Sequence, residues 1–128
     1  MTKAVAALAP KCGPAVLAIA MGISRQEAAI LIRSENRRQG ITRRTFTNVR
    51  VLTAILNAHG HPATLTHVYA KRRSLGRWMA QHTGVSIVLA GHHFVLLADG
   101  RVLEDNGVLP LRARVHQEIT INVKEATI

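Results

Sequence analysis

The stretch Gly84-Val85-Ser86-Ile87-Val88-Leu89-Ala90-Gly91-His92-His93-Phe94-Val95-Leu96-Leu97-Ala98-Asp99-Gly100 decides the fold. Residues 85–89 and 93–97 are short apolar runs, rich in branched side chains and bounded by Gly, which read as strands. Asp99-Gly100 is a hairpin turn, returning the chain along Val102-Leu103. Residues 115–123 alternate in part and predict a last strand or two.

Upstream, the apolar period is helical. Cys12-Gly13-Pro14 opens a helix over 12–21 that Gly22 stops. Ser24 with Glu27 three residues on is a capping box for a second helix over 25–38, which ends at Gly40. Ala28, Leu31 and Ile32 form its apolar stripe. A third helix is expected over 46–58, with a cap region at 42–45; Val49, Leu52, Ile55 and Leu56 recur at helical spacing and Gly60 closes it. Pro62 forces an extended segment, so 64–70 is a short strand candidate. Ser74 caps a fourth helix carrying Leu75, Trp78 and Met79, which ends near Gly84. Helices first and an antiparallel sheet after them give an α+β class, within a single domain spanning residues 1–128.

Composition narrows the function classes. Hydrophobic residues make up 48% and charged residues 19%, which excludes wholesale disorder. The single cysteine, Cys12, excludes an internal disulfide and a cysteine-based zinc cage. No run reaches the roughly 20 apolar residues of a membrane span. The apolar patch at 4–9 is cut off by Pro10 and Lys11, too early for a signal-peptide core. A soluble protein, not secreted by a signal peptide, is therefore expected.

The formal net charge is +10, and it is unevenly spread. Thirteen Lys and Arg precede His92 against two acids, whereas four basic residues face five acidic ones from His92 onward. Arg37, Arg38, Arg43, Arg44, Lys71, Arg72 and Arg73 form clusters that would attract nucleic acid or an acidic protein surface within a larger assembly.

A thiol at the start of a helix lies where the dipole and free N–H groups favour thiolate. His92-His93 and Asp105-Asn106 downstream are the residue types that complete a cysteine–histidine–acid or cysteine–histidine–amide set. Adjacent strand residues face opposite ways, so His93 goes with Val95 and Leu97, and His92 with Phe94 and Leu96. Both faces are apolar, so alternation does not choose between them. The divergence also argues against a metal pair, and no metal or cofactor is expected. Asp99 serves the turn. His59, His61, His67, His82 and His116 show no ligand spacing and read as surface or helix-end residues; Trp78 reads as core.

Three stretches carry a resemblance: CGPAVLAIAMGISRQEAAILI (12–32), SLGRWMAQHTGVSIVLAGHH (74–93) and GHHFVLLADGRVLEDNG (91–107). Together they resemble the compact papain-like cysteine peptidases encoded by bacteriophages, over residues 10–108. The Cys-Gly-Pro and His-Phe-Val pieces also resemble bacteriocin-processing cysteine peptidases. The resemblance implies a papain-like fold with N-terminal helices packed on a C-terminal antiparallel sheet, and hydrolysis of peptide or isopeptide bonds in a protein or peptide substrate. It implies Cys12 as nucleophile, His93 as general base with His92 the alternate, and Asp105 as orienting residue with Asn106 the alternate. The family usually places a Gln a few residues before the nucleophile, but residues 6–11 here contain no amide side chain. Lys11 or the Cys12 and Gly13 backbone amides are left to hold an oxyanion. A basic, non-catalytic protein that keeps the fold and associates with a virion or nucleic acid is the competing expectation.

Overall fold

A computed structural model describes residues 13–41, 47–68, 73–105 and 107–122. The architecture is α+β. Four helices, α1 (Gly13–Met21), α2 (Arg25–Arg38), α3 (Val49–Ala58) and α4 (Leu75–Gln81), accompany five strands among these residues. The strands are β1 (Ala63–His67), β2 (Val85–Ala90), β3 (His93–Ala98), β4 (Arg101–Glu104) and β5 (Val115–Ile121). They form one antiparallel sheet in the order β1-β5-β2-β3-β4.

Local chemistry sets the helix ends. Gly22 takes φ +70°, a left-handed stop that lets α2 leave α1 at 111°. The capping box forms as expected: Glu27 N–H donates to Ser24 Oγ at 3.0 Å, and Ser24 N–H donates to Glu27 Oε1 at 3.1 Å. The Ser24 backbone bond, reinforced by its hydroxyl, holds the Glu27 carboxyl below its usual pKa. At the other end of α2 the Arg38 guanidinium, with help from Gln39, does the same to Glu35. Both contributions are present above the ordinary carboxylate range and fade as pH falls through the lowered values. Helix α3 starts at Val49, later than the sequence suggests, because Asn48 is its cap and accepts the Val51 N–H at 2.8 Å. The proposed cap region at 42–45 lies outside the described residues.

The sheet is covered on both faces. Val16, Leu17 and Ala18 of α1, Ala28 and Ile32 of α2, and the buried face of α3 pack on Ile87, Phe94, Leu96, Ile119 and Ile121. Leu75, Trp78 and Met79 of α4 pack on the reverse face, against Val88, Ala90, Val95, Leu97 and Val115. The fourth helix thus stands apart from the first three. Two covered faces explain why β2 and β3 read as continuous apolar runs rather than alternating ones.

Two turns fix the sheet ends. Ala98-Asp99-Gly100-Arg101 closes β3 onto β4 with Asp99 at φ 48° and Gly100 at φ 79°, both in the left-handed region. Asp99 Oδ1 accepts the Gly84 N–H at 2.8 Å, so this aspartate holds the turn, as the sequence indicates. Residues 59–62 link α3 to β1, and Asn57 clamps that link by donating to the Ala63 carbonyl and accepting the Ala63 N–H.

No single helix among the described residues is long and apolar enough to cross a membrane.

Candidate functional site

Cys12 and Asn106 lie outside the described residues, as do Arg43, Arg44, Lys71 and Arg72. The geometry around the proposed thiol site is therefore read from its neighbours. Gly13, the residue after Cys12, begins α1 and is buried. A β-carbon at this position would fall 2.7 Å from Thr47 Oγ1 and 2.9 Å from Thr47 Cβ. Only glycine lets the start of α1 sit this close to the approach to α3. Helix α3 packs on β1 and joins it through a four-residue link. Its N-terminal end is therefore directed toward the His67 end of β1. In register, that end is the row His67, Gln117, Leu89, Phe94. The start of α1 is accordingly directed to the sheet end that carries the Gly91-His92 turn.

The faces separate the two histidines. His93 is paired directly with Ala90, and Ala90 packs on the α4 side. Directly opposed strand residues share a face, so His93 lies on the α4 side with Val95 and Leu97. Helix α1 packs on the other side, with Phe94 and Leu96. His92 is exposed in the two-residue turn before β3, outside the strand, so alternation assigns it to neither face. Asp105 follows β4 and uses its Oδ1 to accept the Gly107 N–H at 2.9 Å, closing a local turn. Glu104, one residue earlier, faces the N-terminus of α2, with its Oε1 3.7 Å from the Arg25 guanidinium.

A second polar cluster escapes the sequence. His82, expected at a helix end, does follow α4, but its side chain is only 2% exposed. The Gly100 N–H donates to His82 Nδ1 at 3.0 Å, which fixes that nitrogen as an acceptor. In neutral imidazole the proton then sits on Nε2, directed at Ser86 Oγ at 2.5 Å. Ser86 Oγ passes a hydrogen bond to Glu118 Oε2 at 2.8 Å. The order His–Ser–Glu differs from that of a serine hydrolase, because the hydroxyl lies between base and acid. Ser86 is also 1% exposed, leaving no path for an acyl substrate. Gly100, His82, Ser86 and Glu118 therefore tie the β3–β4 turn, the end of α4, β2 and β5 together. A cavity of about 280 Å³, lined by Arg73, Trp78, Gln81, His82, Thr83 and Glu118, lies over this cluster. No short-range pattern announces it, since Ser86 and Glu118 are 32 residues apart.

Ser86→Ala is expected to cost about 1–3 kcal/mol, because it strips a shared hydroxyl from the buried His82 ring and the half-buried Glu118 carboxylate. Urea unfolding measures this. A loss no larger than that of an exposed Ser→Ala change would remove the cluster's stabilising role.

Of the arginines singled out for polyanion contact, Arg37 and Arg38 lie exposed at the end of α2, where Arg38 pairs with Glu35. Arg73 precedes α4 and donates to Gln81 Oε1. Among the described residues no three His, Cys, Asp or Glu side chains gather as a metal site requires. No family model, curated protein or solved structure matches the chain.

Proposed function

We propose that the chain is a papain-like thiol hydrolase of peptide or isopeptide bonds, encoded by a bacteriophage, with Cys12 as its nucleophile. The observation that carries this reading is the seat of Gly13 against Thr47. Thr47 precedes α3, which packs on β1, and this supports a start of α1 on the side of the Gly91-His92 end of the sheet. A helix start lowers a thiol's pKa through its dipole and free N–H groups. The same unpaired N–H groups are candidates to receive the oxyanion where an upstream Gln is missing.

The thiolate attacks the acyl carbon, and an imidazolium gives its proton to the departing amine. Water, deprotonated by the same imidazole, then releases the acyl group from sulfur. The resemblance to the papain-like peptidases names His93 as this base. The side on which α1 packs favours its neighbour, and we take His92 as the base, with His93 its rival. Asp105 or Asn106 would orient the ring.

A mixed peptide library read by mass spectrometry tests the activity. New termini are expected with the wild-type chain and not with Cys12→Ala. Equal cleavage by both, or cleavage by neither, would overturn the reading.

A further inference from the structure

The face of the sheet opposite α1 carries a group of cations that comes together only in the folded chain. Residues 109–114 are laced to the start of α4 by backbone hydrogen bonds. Leu75 N–H donates to the Ala113 carbonyl at 2.8 Å, and Gly76 N–H donates to the Leu111 carbonyl at 3.0 Å. An antiparallel bridge joins Ser74 to Arg114, and Val115 N–H donates to the Arg73 carbonyl at 2.9 Å. These bonds hold Arg77, Arg112 and Arg114 around an open depression of about 380 Å³, completed by Ser74 and Leu111. Its described lining contains no carboxylate. Arg77 and Arg112 take part in none of the ion pairs among the described residues.

From these observations we infer that the depression binds the phosphodiester backbone of a single-stranded nucleic acid. The Arg77 and Arg112 guanidinium groups, held at one concave site, repel one another unless an anion sits between them. The planar fork of arginine matches phosphate oxygens two at a time. The rim is suited to a strand rather than a free phosphate. Leu111 is 48% exposed beside the arginines and offers apolar contact to a sugar or base, while Arg73 precedes α4 alongside. The net charge of +10 supplies the long-range attraction. Arg112 and Arg114 lie in the stretch from His92 onward, whose charges nearly balance, so their alliance with Arg77 is a product of the fold. The site involves neither Cys12 nor the histidine turn, and it stands or falls independently of the thiol reading.

Fluorescence anisotropy of labelled oligodeoxythymidine and oligouridine of equal length, titrated at several salt concentrations, tests the inference. Arg77→Gln/Arg112→Gln is expected to flatten the slope of log K against log salt by about 1.4, from two lost phosphate contacts on a single strand. Arg33→Gln on α2 with Arg50→Gln on α3, both exposed and away from the depression, should leave the slope unchanged, and thermal melts of both double variants verify the fold. Similar affinity for the two strands identifies the phosphodiester backbone as the ligand, and a preference for one strand identifies its source. Equal flattening by both double variants would reduce the binding to diffuse charge and overturn the site. Displacement of either strand by polyglutamate more readily than by unlabelled strand would overturn it in favour of an acidic protein.

Discussion

Gly100→Ala is expected to destabilise the fold by roughly 2–4 kcal/mol, more than a single added methyl usually costs. Two causes add. Gly100 holds φ +79°, where a β-carbon costs about 1–2 kcal/mol. That β-carbon would also run into the main-chain carbonyl oxygen of Met79 in α4, which cannot swing aside as a side chain can. The resulting shift would pull the Gly100 N–H away from His82 Nδ1 and loosen the buried His82–Ser86–Glu118 chain. Gly107→Ala provides the control. Gly107 has the same φ of +79°, yet a β-carbon there meets nothing within 4 Å. It should show the backbone cost alone, about 1–2 kcal/mol. Urea unfolding followed through Trp78 fluorescence compares the two. Equal losses would mean that the close approach of the turn to α4 contributes nothing.

The hairpins and helix ends are legible in the sequence because each is set by a few neighbouring residues. Asp99-Gly100, the Ser24–Glu27 box and the stop at Gly22 are all local devices, and the structure places them where the pattern does. The allocation of faces is not legible. Both sides of β2 and β3 are apolar, so nothing in their alternation reveals that α1 to α3 take one side and α4 the other. The insertion of β5 between β1 and β2 is equally hidden, being a contact across the length of the chain. The same non-locality conceals His82, whose partners are Gly100, Ser86 and Glu118, and the meeting of Arg77 with Arg112 and Arg114. The helix-start cysteine and the histidine pair are visible as residue types at plausible positions. The side that His93 faces emerges only from its register with Ala90.

That register leads to the second large effect. His92→Ala is expected to slow hydrolysis by about 100- to 10,000-fold, the usual contribution of a positioned acid–base group. His93→Ala should have a much smaller effect on rate, since His93 shares its face with Val95 and Leu97 under α4. The reverse ranking would restore the assignment of His93 that the resemblance implies and would require the start of α1 to reach around the sheet end. Neither side chain belongs to the apolar core, and thermal melts of both variants verify that the fold is kept. Rates on any peptide cleaved by the wild-type chain measure the ranking.

The central claim is that Cys12 is an activated thiol, and its reaction with iodoacetamide as a function of pH tests this most directly. The chain has no other cysteine, so the adduct mass reports on one site. An unperturbed thiol, with pKa about 8.5, is only about 0.3% thiolate at pH 6 and alkylates slowly there. The account predicts a rate that has already risen at pH 6, with a midpoint well below 8.5, and a shift back toward the ordinary profile in His92→Ala. A midpoint near 8.5 that is unchanged in both His92→Ala and His93→Ala would contradict it.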